Sequence, residues 1–156
     1  MESSDTLTRV LNNGNSIPSI GLGTYQMKGD EVKQAVRYAL EVGYIHIDSA
    51  AVYRNEADIG AVFTEDKIPR EKIFVTTKIP PTAQGFEEAY ALVETSLKKF
   101  NFEYLDLVLI HWPGASKTPP TSDENLNKRQ GSWRALEKLY EEGKVKNIGV
   151  SNYYVN

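Results

Sequence analysis

Short apolar strand-like segments alternate with amphipathic helical segments along almost the whole chain, and this alternation constrains the fold more than any other feature. A strand followed by a helix occurs four times, and a fifth strand ends the series. The predicted strands are residues 20–23, 45–48, 73–77, 107–110 and 145–150. Strand–helix–strand units join parallel strands through right-handed crossovers, so the sequence predicts an α/β fold with a parallel sheet.

Local signals mark where several elements begin and end. An Asn- and Gly-rich turn between residues 8–11 and 16–18 predicts an N-terminal β-hairpin. The first helix is expected to have Asp30 as its N-cap and to stop at Gly43. The polar stretch 114–130 is expected to be an exposed, mobile loop that precedes the last helix.

A doubly wound open sheet and a TIM barrel of the (β/α)8 type both fit this order of elements. The glycine motif that binds dinucleotides in many doubly wound sheets fails, because after Gly21 and Gly23 its third glycine would fall at Gln26. We therefore expect the barrel type. A whole barrel takes about 250 residues. The 156 residues of this chain are thus expected to form a single, incomplete domain, truncated after about the fifth strand.

Titratable and polar side chains follow three successive strands. Asp48 closes the second strand, and Tyr53 lies in the loop just beyond it. Lys78 is expected to follow the third strand, and His111 follows the fourth. Active sites of TIM barrels are built at the carboxyl ends of the strands. An acid, a phenol, an amine and an imidazole are therefore expected to meet at one end of the sheet.

Each of these residues also has an ordinary structural interpretation. Asp48 suits a helix cap, Tyr53 suits a half-buried aromatic, and Lys78 suits a surface lysine. His111 suits a core histidine whose hydrogen bonds are satisfied, and His46 is expected to fill an interior layer of the barrel. All four ordinary interpretations would have to hold together, so their shared location favours a reactive site.

The four residue types support proton delivery to a carbonyl oxygen. A phenol ordinarily has a pKa of about 10. A neighbouring ammonium is expected to lower the pKa of Tyr53 and make it a competent general acid. Asp48 would hold Lys78 in place, and His111 would donate a hydrogen bond to the same oxygen. Because no side chain donates hydride, a nicotinamide cofactor is expected to supply it.

Composition argues against several other classes of function. The net charge is −3 with no basic stripe, so no nucleic-acid partner is expected. Cysteine is absent and only two histidines occur, so we expect no transition-metal site. No apolar run approaches a membrane span of about 20 residues. The acidic first residues do not resemble a signal peptide, so a cytoplasmic protein without a membrane partner is expected.

Five motifs together resemble the aldo-keto reductases, and they follow one another in that family's order. The motifs are residues 20–25, 43–56, 77–78, 106–113 and 148–152. This resemblance implies reduction of aldehydes or ketones to alcohols with NADPH, although NADH stays open. It implies that Asp48, Tyr53, Lys78 and His111 are the catalytic tetrad, with Tyr53 as the proton donor.

The resemblance also implies binding roles around the tetrad. The implied cofactor-binding residues are Gly23, Thr24, Tyr25, Asp48, Ser151 and Asn152. The implied substrate-binding residues are Tyr25, Tyr53, His111 and Trp112. Tyr25 stands where the family often has Trp, and residues 79–81 depart from the commoner Leu-Trp, so the substrate wall differs from the usual one.

The expected loss of the last three barrel strands leaves a second interpretation open. Five strands would keep both sheet edges unpaired. We therefore weigh a truncated, catalytically inactive family member that acts as a binding, regulatory or accessory protein. A further alternative is self-association, in which two chains pair their open edges.

Overall fold

The computed structural model describes residues 7–154, which form a small hairpin and a strand–helix series. The strands are β1 (Thr8–Val10), β2 (Ser16–Pro18), β3 (Leu22–Gly23), β4 (His46–Asp48), β5 (Phe74–Ile79), β6 (Leu107–Ile110) and β7 (Ile148–Val150). The helices are α1 (Gly29–Glu41), α2 (Glu56–Glu65), α3 (Phe86–Phe100) and α4 (Asp123–Glu141). The predicted hairpin and the predicted order of strands and helices are both confirmed.

The five strands after the hairpin form one parallel sheet in which chain order equals spatial order. The sheet runs β3-β4-β5-β6-β7, and each strand is parallel to its neighbours. A doubly wound sheet reverses its order at a switch point, whereas a barrel adds each strand beside the previous one. The sheet therefore has the arrangement of five successive strands of a (β/α)8 barrel.

The core lies between this sheet and the helices that cover its outer face. Ile47, Val75 and Val108 on the central strands are fully buried, as are Val36 of α1 and Leu136 of α4. β5 is buried along both faces from its second residue onward. This explains its continuous apolar and threonine-rich sequence, since a parallel strand covered on both sides does not alternate with polar residues.

Polar side chains meet at the end of the sheet where the strands begin. His46 forms a 2.9 Å hydrogen bond between its Nε2 and the Thr76 hydroxyl. Asn13 and Asn15 of the hairpin turn donate side-chain hydrogen bonds of 2.9 and 3.0 Å to Asn147 Oδ1. The hairpin therefore covers the end of the sheet opposite to the strands' carboxyl ends.

The predicted N-cap of α1 is wrong, whereas the predicted stop is confirmed. The N-cap position is Lys28, and the Gly29 amide donates a 3.0 Å hydrogen bond to the Asp58 carboxylate of α2. Asp30 lies within the first turn, where a carboxylate interacts favourably with the helix dipole. Gly43 has a φ of +98°, and its amide donates a 3.1 Å hydrogen bond to the Leu40 carbonyl in the last turn of α1, as expected of a helix stop.

The prediction that residues 114–130 form an exposed loop is wrong in its second half. α4 begins at Asp123, and its N-cap Ser122 accepts a 3.2 Å hydrogen bond from the Asn125 amide. Asn125 is buried and binds the preceding loop through the Ala115 amide at 2.8 Å. Most other side chains of the first two turns are exposed, so no apolar period marked the helix. No helix within residues 7–154 is long and apolar enough to cross a membrane.

Candidate active site

The carboxyl ends of β4, β5, β6 and β7 bring the sequence-predicted polar residues to one edge of the sheet. Asp48 is the last residue of β4, and His111 and Ser151 directly follow β6 and β7. Gly23 pairs with Asp48, and Thr76 of β5 pairs with it from the other side. Register along the parallel strands thus places these groups beside one another.

Lys78 lies inside β5 and not after it, which corrects the predicted end of this strand. Lys78 pairs with Leu109 of β6, and only 7% of the residue is exposed. Its Nζ donates hydrogen bonds of 2.5 Å to Asp48 Oδ1 and 2.8 Å to the Ser49 carbonyl oxygen. The strand continues through the lysine because its ammonium is neutralised by the neighbouring strand.

Tyr53 reaches the same edge from the short 3₁₀ turn Ala51–Tyr53, which follows β4. Its ring centroid lies 5.5 Å from Lys78 Nζ. The ring also lies 5.0 Å from the Tyr25 ring and 6.0 Å from the His111 ring. Tyr53 is half-buried, and its neighbours are two aromatic rings and one ammonium.

The surroundings of Tyr53 do not lower its pKa, contrary to the prediction. Burial raises the pKa of the phenol, and the negative charge of Asp48 and the neighbouring Tyr25 raise it further. The nearby Lys78 ammonium points its hydrogen bonds at Asp48 and the Ser49 carbonyl, and it does not offset these three effects. Tyr53 is therefore protonated at neutral pH and holds a proton that it can donate.

His111 presents a neutral imidazole to this edge. Burial lowers its pKa, the Lys78 charge lowers it further, and Asp48 opposes the shift. Among residues 7–154 its Nδ1 is buried without a hydrogen-bond partner. The His111 amide donates a 3.0 Å hydrogen bond to the Ile79 carbonyl, which fixes the residue to the end of β5.

Ser151 and Asn152 follow β7 and contact the residue after β6. The Ser151 amide donates a 2.9 Å hydrogen bond to the Ile110 carbonyl. Asn152 has a φ of +60°, and its Nδ2 donates to the His111 carbonyl at 2.8 Å and to Ser151 Oγ at 3.1 Å. The Asn152 side chain thereby links the ends of β6 and β7.

The first loop, after β3, contributes one buried residue and one exposed residue. The Thr24 amide and hydroxyl donate to the Asp48 carbonyl oxygen at 3.0 and 3.1 Å, so its side chain is already engaged. Tyr25 is 65% exposed and Trp112 is 47% exposed. Two large aromatic side chains therefore offer free surface near Tyr53 and His111.

Sequence reasoning gave no separate role to two consecutive buried residues behind this edge. Asn55 and Glu56 are at most 1% exposed. Glu56 Oε1 accepts a 2.7 Å hydrogen bond from the Thr77 hydroxyl, and Lys99 Nζ lies 3.8 Å from its other oxygen. Asn at a helix start is an ordinary cap and Glu an ordinary first-turn residue. Residue type therefore carried no signal of their burial.

A metal ion needs several His, Cys, Asp or Glu side chains close together. No group of three or more His, Cys, Asp or Glu side chains within residues 7–154 is arranged to hold one. The chemistry of the edge is that of a phenol, an ammonium–carboxylate pair and a neutral imidazole.

Residues 19–156 match the model of the Aldo/keto reductase family. A 9,11-endoperoxide prostaglandin H2 reductase of Trypanosoma cruzi is 45% identical over 92% of this chain and 47% of its own length. A glyoxal reductase of Bacillus subtilis is 42% identical over 94% of this chain and 49% of its own length. The chain thus spans about half the length of these curated relatives.

A solved structure agrees with these sequence matches. The crystal structure of an aldo/keto reductase from Brucella melitensis is 44% identical and has a TM-score of 0.85, with 96% of this chain and 53% of that chain covered. Family match, sequence identity and fold agree over nearly the whole chain. The chain therefore belongs to the aldo/keto reductase family of oxidoreductases.

Proposed function

We propose that this chain carries the proton-delivery half of an NAD(P)H-dependent reductase that converts aldehyde and ketone carbonyls to alcohols. The observation that carries the proposal is the position of Tyr53, whose ring lies 5.5 Å from the Lys78 ammonium and 6.0 Å from the His111 ring. Proton donor, cation and neutral hydrogen-bond donor thus share one edge of the sheet. This is the arrangement that a carbonyl oxygen gaining negative charge requires.

Tyr53 donates the proton to the carbonyl oxygen. Its raised pKa keeps it protonated until the oxygen becomes basic. The Lys78 ammonium stabilises the phenolate that the transfer leaves, and Asp48 holds that ammonium in place. His111 is neutral, so one ring nitrogen carries a hydrogen that orients the carbonyl. A reduced nicotinamide, when bound, supplies the hydride.

The ends of β6 and β7 fit the carboxamide of a nicotinamide. A primary amide offers two N–H donors and one carbonyl acceptor. The Ser151 hydroxyl can donate to and accept from such a group, and Asn152 retains an oxygen acceptor, since its described hydrogen bonds are donated by Nδ2. We propose NADPH as the cofactor, with Gly23, Thr24 and Tyr25 approaching it from the first loop.

Carbonyl compounds as a class are the proposed substrates. One relative is named for glyoxal, a dialdehyde, and another for a prostaglandin endoperoxide, whose O–O bond is not a carbonyl, so the carbonyl class rests on the first relative and on the site. Tyr25 and Trp112 give this chain an exposed aromatic wall suited to apolar substituents. A cytoplasmic location stays a prediction.

Cofactor titration followed by turnover tests the proposal. The intrinsic fluorescence of Trp112 and Trp133 reports binding when NADPH or NADH is added to the 156-residue chain. We expect saturable quenching by NADPH, then consumption of NADPH when glyoxal is added as a test aldehyde. Absence of both saturable binding and turnover would contradict the proposed function.

A second candidate, a binding or accessory protein without turnover, is favoured by the exposed side of β7. Within residues 7–154, β7 pairs with β6 alone and forms one edge of the sheet. Val150 is 44% exposed beside a groove of about 540 Å³ that also contains Trp133 and Tyr153. Apolar sheet edges favour pairing with another chain.

Self-association through this edge has its own test. We expect size-exclusion chromatography with light scattering to find dimers or larger species of the wild-type chain. Val150→Lys should shift the distribution towards monomer, because a charge on an edge strand disfavours pairing. A monomeric wild-type chain would contradict self-association and leave the reductase proposal untouched.

A further inference from the structure

Asn55 is a buried polar side chain near the candidate site that forms three side-chain hydrogen bonds. It is fully buried between the first loop, the end of β4 and α2. Its Nδ2 donates to the Thr24 carbonyl at 2.9 Å and to the Met27 carbonyl at 3.0 Å, and its Oδ1 accepts from the Ser49 hydroxyl at 2.7 Å. Both amide hydrogens therefore bind backbone carbonyls, and the amide oxygen binds a side-chain hydroxyl.

The contact with Ser49 connects Asn55 to the ammonium of Lys78. The Ser49 carbonyl oxygen accepts a 2.8 Å hydrogen bond from Lys78 Nζ. The Ser49 amide donates a 2.9 Å hydrogen bond to the Thr76 carbonyl of β5. Asn55 thus restrains the residue that carries the second acceptor of the ammonium, beside the Asp48 carboxylate.

The contacts with Thr24 and Met27 connect the same amide to the first loop. The Met27 amide donates to the Thr24 carbonyl at 3.3 Å, so the loop already closes on itself. Asn55 donates to the Thr24 carbonyl and to the Met27 carbonyl, and it thereby fixes the closed loop against α2. The loop carries Tyr25, whose ring lies 5.0 Å from the Tyr53 ring.

We propose that Asn55 is a positioning residue that sets the place of the Lys78 ammonium and of the first loop relative to Tyr53. This inference rests on the proposed reductase function and adds a residue to it. Asp at this position would lose the two donors, and Gln would carry its amide one carbon further from the three partners. A displacement of about 1 Å at reacting groups costs roughly 10²-fold in rate.

Asn147 provides a matched control for the Asn55→Ala variant. It is 4% exposed, and its side chain also forms three hydrogen bonds of comparable length to structural neighbours. Two of these bonds hold the hairpin, and the third is donated to the Asp106 carbonyl just before β6, all at the opposite end of the sheet. Asn147→Ala therefore removes the same number of side-chain hydrogen bonds from a buried Asn without touching the candidate site.

Kinetics of the full chain give the first comparison. The two variants are expected to lose a similar amount of thermal stability. Asn55→Ala is then expected to lower kcat for an aldehyde about 10²-fold and to raise the KM for NADPH. Asn147→Ala is expected to keep both constants near wild type. Ser49→Ala removes one of the three bonds with little change in packing and should lower kcat several-fold. Equal kcat losses in the Asn55 and Asn147 variants, or a kcat in Asn55→Ala within threefold of wild type, would overturn the proposal.

A measurement without turnover separates this proposal from the reductase proposal itself. Hydrogens on a hydrogen-bonded, 7% exposed ammonium exchange slowly enough for a lysine 1H–15N side-chain spectrum. The Lys78 signal, assigned by its loss in Lys78→Met, is expected in wild type and Asn147→Ala and is expected to vanish in Asn55→Ala. A Lys78 signal unchanged in Asn55→Ala would overturn the positioning role even if the wild-type chain shows no turnover.

Discussion

The ammonium of Lys78 lies 2.5 Å from the carboxylate of Asp48, yet the two partners differ greatly in burial. The lysine side chain is 8% exposed and the aspartate side chain is 35% exposed. Removing the partner of a buried charge costs much more than removing the partner of a charge that water can reach. The pair is therefore asymmetric in its contribution to stability.

This asymmetry predicts different costs for the two single variants. Asp48→Ala leaves a buried ammonium with one carbonyl acceptor and should lower the free energy of unfolding by about 3 kcal/mol. Lys78→Met leaves a carboxylate open to water and should cost about 1 kcal/mol or less. Urea unfolding of both variants checks the order. A larger cost for Lys78→Met would show that the ammonium is better solvated than its burial indicates.

Acidification provides a second prediction, because His46 and His111 are the only histidines of the chain. Burial is the largest cause of the lowered pKa of both rings in the folded chain. The unfolded chain therefore takes up protons first as the pH falls below about 6.5. Stability should be constant above that pH and decrease below it, until the lowered pKa values are reached.

Thermal unfolding between about pH 7.5 and pH 5.5 checks this prediction. The double variant His46→Gln/His111→Gln is expected to flatten the slope. Glu65 and Asp66 have lowered pKa values because of their bonds to Lys33 and Arg37, so their contribution is lost only at more acidic pH, near and below their ordinary values. A slope of equal size in the double variant would rule out the histidines as its source.

Gly60 provides a third prediction, because helix propensity predicts that Gly60→Ala stabilises the chain and packing predicts that it destabilises the chain. In an open helix, Gly→Ala stabilises by about 1 kcal/mol. At Gly60 of α2, however, an added Cβ would collide with the backbone carbonyl of Phe100 in α3. We expect Gly60→Ala to lower the free energy of unfolding by about 1–3 kcal/mol.

Gly114→Ala serves as the control for this substitution. Nothing lies within 4 Å of a Cβ at Gly114, and its φ is not positive. Its effect on urea unfolding should stay within about 0.5 kcal/mol. A stabilised Gly60→Ala variant would mean that α2 and α3 are further apart than the structure places them.

Much of the fold was predictable because its determinants are local. The parallel strands are short apolar runs, as expected of strands that are covered on both faces. The gathering of Asp48, Tyr53 and His111 at one edge then follows from topology alone, since parallel strands end on the same side. Their chemical roles were inferred from residue type and from family resemblance.

The remaining features depend on contacts between distant segments. Lys78 was expected to follow its strand, but it lies within β5, where Asp48 from the neighbouring strand neutralises it. The raised pKa of Tyr53 depends on burial that no local pattern encodes. Asn55 has the residue type of a helix cap, and its bonds to Thr24 and Met27 span 31 and 28 positions of the chain.

Replacement of Tyr53 by Phe tests the proposed proton donor most directly. The change removes one hydroxyl and keeps the ring that contacts Tyr25 and His111. NADPH-dependent reduction of an aldehyde should fall by about 10²–10⁴-fold, with NADPH affinity unchanged. Tyr38→Phe on α1, where the residue is 67% exposed, should leave turnover unaltered. Wild-type turnover that survives Tyr53→Phe within a few-fold would contradict Tyr53 as the proton donor.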